Sequence, residues 1–170
     1  MPAIHDPNRD LTLWESGAII EYLIEVYDKK QKLSFPAGSN EAYLAKQWLY
    51  FQVSGQGPYF GQVIFFMKYH SEQLPSAIKR FVTEANRVTS VLEGHLSEQK
   101  AGTDGPWLVG GKFSFADLSF VPWIAVFNFM VASANKEDFD LEKYPHVKKW
   151  YDSMMARPAV KNAMEAAFRQ

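Results

Sequence analysis

Residues 113 to 131 are an almost unbroken run of apolar side chains, opened by Ser114-Phe115-Ala116-Asp117. A helix that is apolar nearly all round has no face to turn to water and has to be enclosed by other elements. The run also carries Ser114, Asp117, Ser119, Pro122 and Asn128, which favours a buried central helix over a membrane span. Ser114 and Asp117 stand at capping-box spacing: Ser114 accepts from the amide of Asp117, and the carboxylate reaches back to the amide of Ser114. Phe113 and Leu118 sit where a hydrophobic staple forms. Asp117 therefore reads as structural rather than as a catalytic acid. A chain of 170 residues built on such a segment must wrap a helical bundle around it, with room for one domain and part of another.

The flanking sequence supplies that bundle. Glu41 to about Ser71 reads as one long aromatic helix, bent at Ser54-Gly55-Gln56-Gly57-Pro58, where two glycines and a proline remove stiffness and a hydrogen bond. Pro75 to Gln99 is amphipathic: Ile78, Phe81, Val82, Ala85, Val88, Leu92 and Leu96 share one face. Tyr144 to Arg157 gives another helix with Val147, Trp150 and Met154 inward, and Pro158 begins a last one. The N-terminal part differs. Ala3 to Asp6 and Leu11 to Trp14 flank the turn-rich Pro7-Asn8-Arg9-Asp10 and read as a hairpin. A helix from Glu15 to Tyr27 follows, whose first amides Ser16 can satisfy. Residues 29–40 hold breakers and little periodicity, so the chain divides into 1–28, a linker at 29–40, and an all-helical part at 41–170.

Composition closes off several functional classes. Eighteen basic and nineteen acidic side chains leave a formal charge of −1, so no global field draws nucleic acid or an anionic membrane, and neither is expected as a partner. The absence of cysteine excludes disulfides, thiolate metal sites and a cysteine nucleophile within this sequence. His5, His70, His95 and His146 are dispersed without metal-ligand spacing, and no metal is expected. Lys143, Lys148, Lys149 and Arg157 read as a solvated face. The opening Met1-Pro2-Ala3-Ile4-His5-Asp6 is not a basic and apolar leader, so the expected compartment is the cytoplasm.

Several motifs in order carry a family resemblance. Leu13-Trp14-Glu15-Ser16-Gly17-Ala18-Ile19, Phe51-Gln52-Val53-Ser54-Gly55-Gln56-Gly57-Pro58, Gly61-Gln62, Trp107-Leu108-Val109-Gly110, Ala116-Asp117-Leu118, Phe120-Val121-Pro122-Trp123 and Met155-Ala156-Arg157-Pro158-Ala159-Val160 resemble the glutathione transferase superfamily. The likeness is to the subfamily of the yeast nitrogen-regulatory prion protein and its fungal and bacterial relatives. It implies a mainly α fold: the glutathione transferase C-terminal helical bundle, carrying a truncated thioredoxin-like remnant of one β-hairpin and one helix. The resemblance further implies that the first βαβ unit and the helix after it, which in relatives stabilise the glutathione thiolate, precede the segment matched here.

Glu15 and Ser16 are what this sequence retains of a glutathione site. Ser16 at a helix N-terminus offers a hydroxyl and free amides to a carboxylate, while Glu15 can accept an ammonium, together suiting the γ-glutamyl end of glutathione. The resemblance assigns the same roles and adds Met1 and Pro2 as backbone partners for the cysteinyl segment. Plain helix capping by Ser16 is the competing reading. The bend sits where relatives place the wall of a hydrophobic substrate cleft, so Phe51, Gln52, Gln56 and Phe60 are candidate lining residues, with Trp123, Phe127 and Asn128 of the central helix as its floor. Tyr59 is the candidate catalytic group, a proton donor or substrate orienter.

Three functions follow as open readings. The first is a cytoplasmic small-molecule enzyme of biosynthesis that orients a hydrophobic substrate for isomerisation, cyclisation or elimination, binds glutathione weakly and conjugates poorly. The second is a conventional glutathione S-transferase whose N-terminal unit is absent from this sequence. The third is a noncatalytic binding or regulatory module. A homodimer is expected from the open hairpin edge and the aromatic face around Phe51, Tyr59 and Phe66.

Overall fold

A computed structural model describes residues 2–99, 105–132 and 137–168. The chain opens with β1 (Ala3–Asp6) and β2 (Leu11–Trp14), an antiparallel hairpin in which Ile4 faces Leu13 and Asp6 faces Leu11. Asn8 donates its amide to Asp6 Oδ1 at 2.9 Å and closes the turn. Helix α1 (Ser16–Tyr27) follows, and it is joined to the hairpin through one buried carboxylate. Asp6 accepts the hydroxyls of both Tyr22 and Tyr27. These bonds hold the Asp6 carboxyl down at about 2, the Tyr22 bond contributing most. The same bond, with burial, pushes the Tyr22 phenol up to about 12.

The sign of the pH dependence follows from those shifts. A carboxyl depressed on folding stabilises above its ordinary 3.8 and loses that contribution as pH falls toward 2; a phenol raised on folding loses its contribution as pH climbs from 10 toward 12. The attachment of hairpin to helix is therefore expected to weaken at both ends. Hydrogen exchange of the hairpin amides checks this. A Tyr22→Phe, Tyr27→Phe double variant should show a flattened acid dependence between about pH 4 and 2, and an unchanged dependence would reject the carboxylate as the lock.

The linker is pinned at both sides. Asp28 accepts the amides of Lys32 and Leu33 at 2.7 and 2.8 Å and the hydroxyl of Ser34 at 2.8 Å. Leu33 in turn accepts the amide of Phe115 at 2.8 Å, and Lys112 reaches the Ser34 carbonyl at 2.7 Å. The segment between hairpin helix and bundle thus holds the start of the central helix.

The bundle consists of α2 (Asn40–Phe51), α3 (Gly57–Ile64), α4 (Pro75–Glu98), α5 (Phe115–Phe127), α6 (Pro145–Met155) and α7 (Pro158–Phe168). Helix α5 is the centre, packed against α2, α3 and α6, and Phe115, Ala116, Phe120, Val121, Ile124, Ala125 and Phe127 are all buried. Its capping box is formed. The buried Asp117 carboxylate collects the amides of Leu108 and Ser114, the Ser114 hydroxyl, and the indole N–H of Trp150, each at 2.9 to 3.0 Å. Burial pushes this carboxyl up, against the pull of those donors. Across the bundle, Glu93 of α4 caps α6 by accepting the amides of His146 and Val147 at 3.0 and 2.9 Å.

The expected bend between α2 and α3 is a π-helical turn, Gln52–Gln56, rather than a break. Pro58 has no N–H and its ring crowds the preceding turn. The wider i→i+5 closure, in which the Gly57 amide donates to the Gln52 carbonyl, accommodates it without ending the helix. A second π turn, Phe65–Tyr69, which periodicity does not announce, ends this run. Arg157 also departs from the expected solvated face: its guanidinium lies 4.1 Å from the centroid of Phe113 and 5.8 Å from that of Trp107.

Candidate functional site

Glu15 immediately precedes α1 with φ 72 and ψ 116, a backbone conformation that side chains rarely adopt. Such strain persists where surrounding structure enforces it and concentrates at functional sites. Ser16 is the first helical residue, and no side chain caps this helix. That differs from the expectation that Ser16 satisfies the first amides. The reason is geometric: a capping hydroxyl belongs to the residue before the helix, a position taken by Glu15. The N-terminus of α1 therefore presents amides, a hydroxyl and a carboxylate without a side-chain cap, an arrangement suited to a ligand with adjacent negative and positive groups.

Ser16 opens into a cavity of about 510 Å³ between α1 and α5. Ile20, Leu23 and Ile24 of α1, Leu33 of the linker, and Leu118 and Pro122 of α5 make its apolar walls. Pro2, Gln52, Phe115, Ser119 and Trp123 complete it. The hydroxyl of Ser119 is spent on the Ala116 carbonyl at 2.8 Å. A second hollow of about 470 Å³ shares Leu33, Leu118 and Pro122 and continues to Val160 and Met164 of α7.

The structure brings together four of the candidate residues, Pro2, Ser16, Gln52 and Trp123, at this cavity. The others are placed elsewhere. Phe60 and Phe127 are sealed in the core, their rings 4.2 Å apart, with Phe139 against both. Gln56 is fully buried and donates to the Phe120 carbonyl at 3.3 Å. Phe51 packs edge-on against Trp48, and Asn128 is exposed at the start of the π turn Asn128–Ala132. Tyr59 is half-buried beside Arg87 of α4, whose guanidinium it helps keep charged after the larger effect of Glu84. It does not line the cavity. Met1 lies outside the described residues.

Sequence reading did not single out Ile20, Leu23, Ile24, Leu33, Leu118 and Pro122 as lining residues. For Ile20, Leu23 and Ile24 the signal was the apolar stripe of α1, and for Leu118 and Pro122 the apolar circumference of α5; periodicity assigns both to a core without saying whether the core is filled. The histidines serve packing and local bonds: His95 lies 4.6 Å from the Trp48 ring and donates to the Leu108 carbonyl at 2.7 Å, and His146 pairs with Glu93 at 2.6 Å. Among the described residues no group of three side chains could hold a metal ion, and no helix is long and apolar enough to cross a membrane.

Comparison with known proteins places this architecture. The sequence profile of the Glutathione S-transferase, C-terminal domain, matches residues 58–158. The Glutathione S-transferase-like protein tpcF of Aspergillus fumigatus is 59% identical over 170 residues, covering 99% of this chain and 75% of its own length. The crystal structure of glutathione transferase URE2P8 from Phanerochaete chrysosporium, solved with oxidized glutathione, superposes with a TM-score of 0.86 at 40% identity, covering 100% of this chain and 74% of that one. The nitrogen regulation fragment of the yeast prion protein Ure2p gives a TM-score of 0.84 at 34% identity, covering 97% and 73%.

Proposed function

This chain belongs to the glutathione transferase superfamily, in the branch of the yeast prion protein Ure2p, and from that premise we propose that it is a small-molecule enzyme of biosynthesis with weak glutathione binding. The observation that carries the reading is the single cavity that joins the strained α1 N-terminus to an apolar chamber. Glu15 and Ser16 take the γ-glutamyl end of glutathione, and the chamber takes a hydrophobic substrate. Apolar area removed from water supplies most of the affinity, at about 25 cal/mol per Å², and a few polar groups fix orientation. No basic or imidazole side chain lines the cavity among the described residues, so no cation there lowers a thiol pKa. In this proposal conjugation is poor, and the chemistry is isomerisation, cyclisation or elimination of a bound substrate. The protein works in the cytoplasm as a homodimer, for which the exposed Trp14, Leu23, Tyr27, Tyr43 and Tyr50 offer apolar contact.

Calorimetry with glutathione and S-hexylglutathione, followed by a conjugation assay with 1-chloro-2,4-dinitrobenzene, tests this. Weak glutathione binding, tighter S-hexylglutathione binding and slow conjugation are expected, with light scattering of the same samples giving a dimer. Tight glutathione binding and rapid turnover would return the chain to conventional glutathione transfer. The likeness to the nitrogen regulation fragment of Ure2p favours a second reading, a noncatalytic regulatory module. Binding of S-hexylglutathione without turnover of any apolar substrate is the outcome that selects it.

A further inference from the structure

Helix α5 carries a proline in its interior, Pro122. A carbonyl in an α-helix accepts the amide four residues later, and a proline has no N–H to give. The carbonyl of Leu118 is therefore left without its helical donor. No side chain makes up the loss among the described residues: Gln56 serves the Phe120 carbonyl at 3.3 Å, and the Ser119 hydroxyl goes to Ala116 at 2.8 Å.

Helix geometry fixes where that carbonyl stands. It points along the axis toward residue 122, so its oxygen lies on the strip of surface between the side chains of Leu118 and Pro122. Both residues line the chamber into which Ser16 opens, and both line the hollow that continues to Val160 and Met164. The acceptor thus sits where the two hollows meet. Leu118 is half-buried and Pro122 exposed, so water satisfies the oxygen in the free protein. An apolar ligand that fills the junction displaces that water, and the acceptor then goes unpaired unless the ligand brings a donor of its own.

The neighbouring groups select the kind of donor. Ser119 lines the same wall, and with its proton committed to Ala116 its oxygen can only accept. No carboxylate lines either hollow among the described residues, so an ammonium would be desolvated there without a counter-charge. A neutral hydroxyl meets both conditions. Carried on an aromatic ring, it also brings the apolar area that the chamber walls cover. We propose that the Leu118 carbonyl, freed by Pro122, is the seat for the hydroxyl of a phenol-type substrate lying along α5 at the junction of the two hollows. This assignment rests on the reading of the cavity as the substrate site and names the chemical class that the site takes.

The test uses a matched pair of probes, 2-naphthol and 2-methylnaphthalene, alike in shape and differing in the hydroxyl. In the wild-type protein, 2-naphthol should move the Leu118 carbonyl carbon resonance downfield, read by NMR through the Ser119 amide, and 2-methylnaphthalene should not. This measurement needs no variant. Calorimetry then compares the affinity ratio of the two probes in wild type and in Pro122→Ala. Alanine restores the amide that pairs the Leu118 carbonyl within the helix, so the ratio should shift against 2-naphthol by about fivefold, the scale of one net hydrogen bond. Packing lost with the proline ring weakens both probes alike and cancels in the ratio. An unmoved Leu118 resonance with 2-naphthol bound, or an unchanged ratio in Pro122→Ala, overturns the seat and leaves the cavity reading intact. Failure of both probes to bind the wild-type protein overturns the cavity reading, and the seat with it.

Discussion

Asp117→Ala should lower the melting temperature by roughly 10 °C, the largest effect expected of any single polar substitution in this chain. Asp117 is wholly buried and receives four hydrogen bonds, from Leu108, Ser114 twice, and Trp150. Removing the acceptor leaves those donors enclosed without partners, and breaking buried polar groups of this kind costs about 3–5 kcal/mol. A typical domain has about 5–15 kcal/mol in total, and at this size each kcal/mol shifts the melting temperature by about 2–4 °C. Asp117→Asn keeps the shape but turns an amide toward existing donors, so it should fall between wild type and Asp117→Ala. Calorimetric melting checks both, and a loss of under about 2 °C for Asp117→Ala would mean that the carboxylate does not anchor the fold.

Glu15→Gly should separate stability from binding in the opposite sense. Glu15 holds φ 72 and ψ 116 without a capping bond, a conformation that costs a side-chain-bearing residue about 1–3 kcal/mol. Glycine adopts it freely but loses about 0.5–1 kcal/mol through the flexibility it adds to the unfolded chain. The variant is therefore expected to be as stable as wild type or about 1 kcal/mol more stable. It should bind S-hexylglutathione at least about tenfold more weakly, since the carboxylate that would receive the ligand ammonium is gone. Glu15→Ala serves as the control, losing binding while keeping the strain. Melting and calorimetry on the two variants decide: destabilisation by Glu15→Gly rejects the strain, and undiminished affinity rejects the ligand role.

The site was only partly readable in advance, and the π turn at Gln52–Gln56 is the main reason. Carrying one helical phase from Glu41 to Ser71 predicts which side chains share a face, but an inserted residue turns everything after it by about 100°. Tyr59 and Phe60 were both expected at the cleft. Past the π turn, Phe60 enters the core against Phe127 and Tyr59 meets Arg87. Gln52, which opens the turn, lines the cavity with Ser16 and Trp123.

Interactions between near neighbours in the chain were specified by residue type alone. The Ser114–Asp117 box, the hairpin around Pro7–Asp10 and the apolar circumference of α5 belong to this class, because their partners lie within a few residues and spacing dictates their geometry. Tertiary structure decided what depends on distant segments meeting. It brought Leu108 and Trp150 to the same carboxylate, and it laid Trp123 along Gly57 and Gly61. It also left the apolar stripe of α1 facing a chamber instead of a filled core. Periodicity records that a side chain avoids water; whether it meets another side chain or a cavity depends on how well the facing elements fill the space between them, which no single segment encodes.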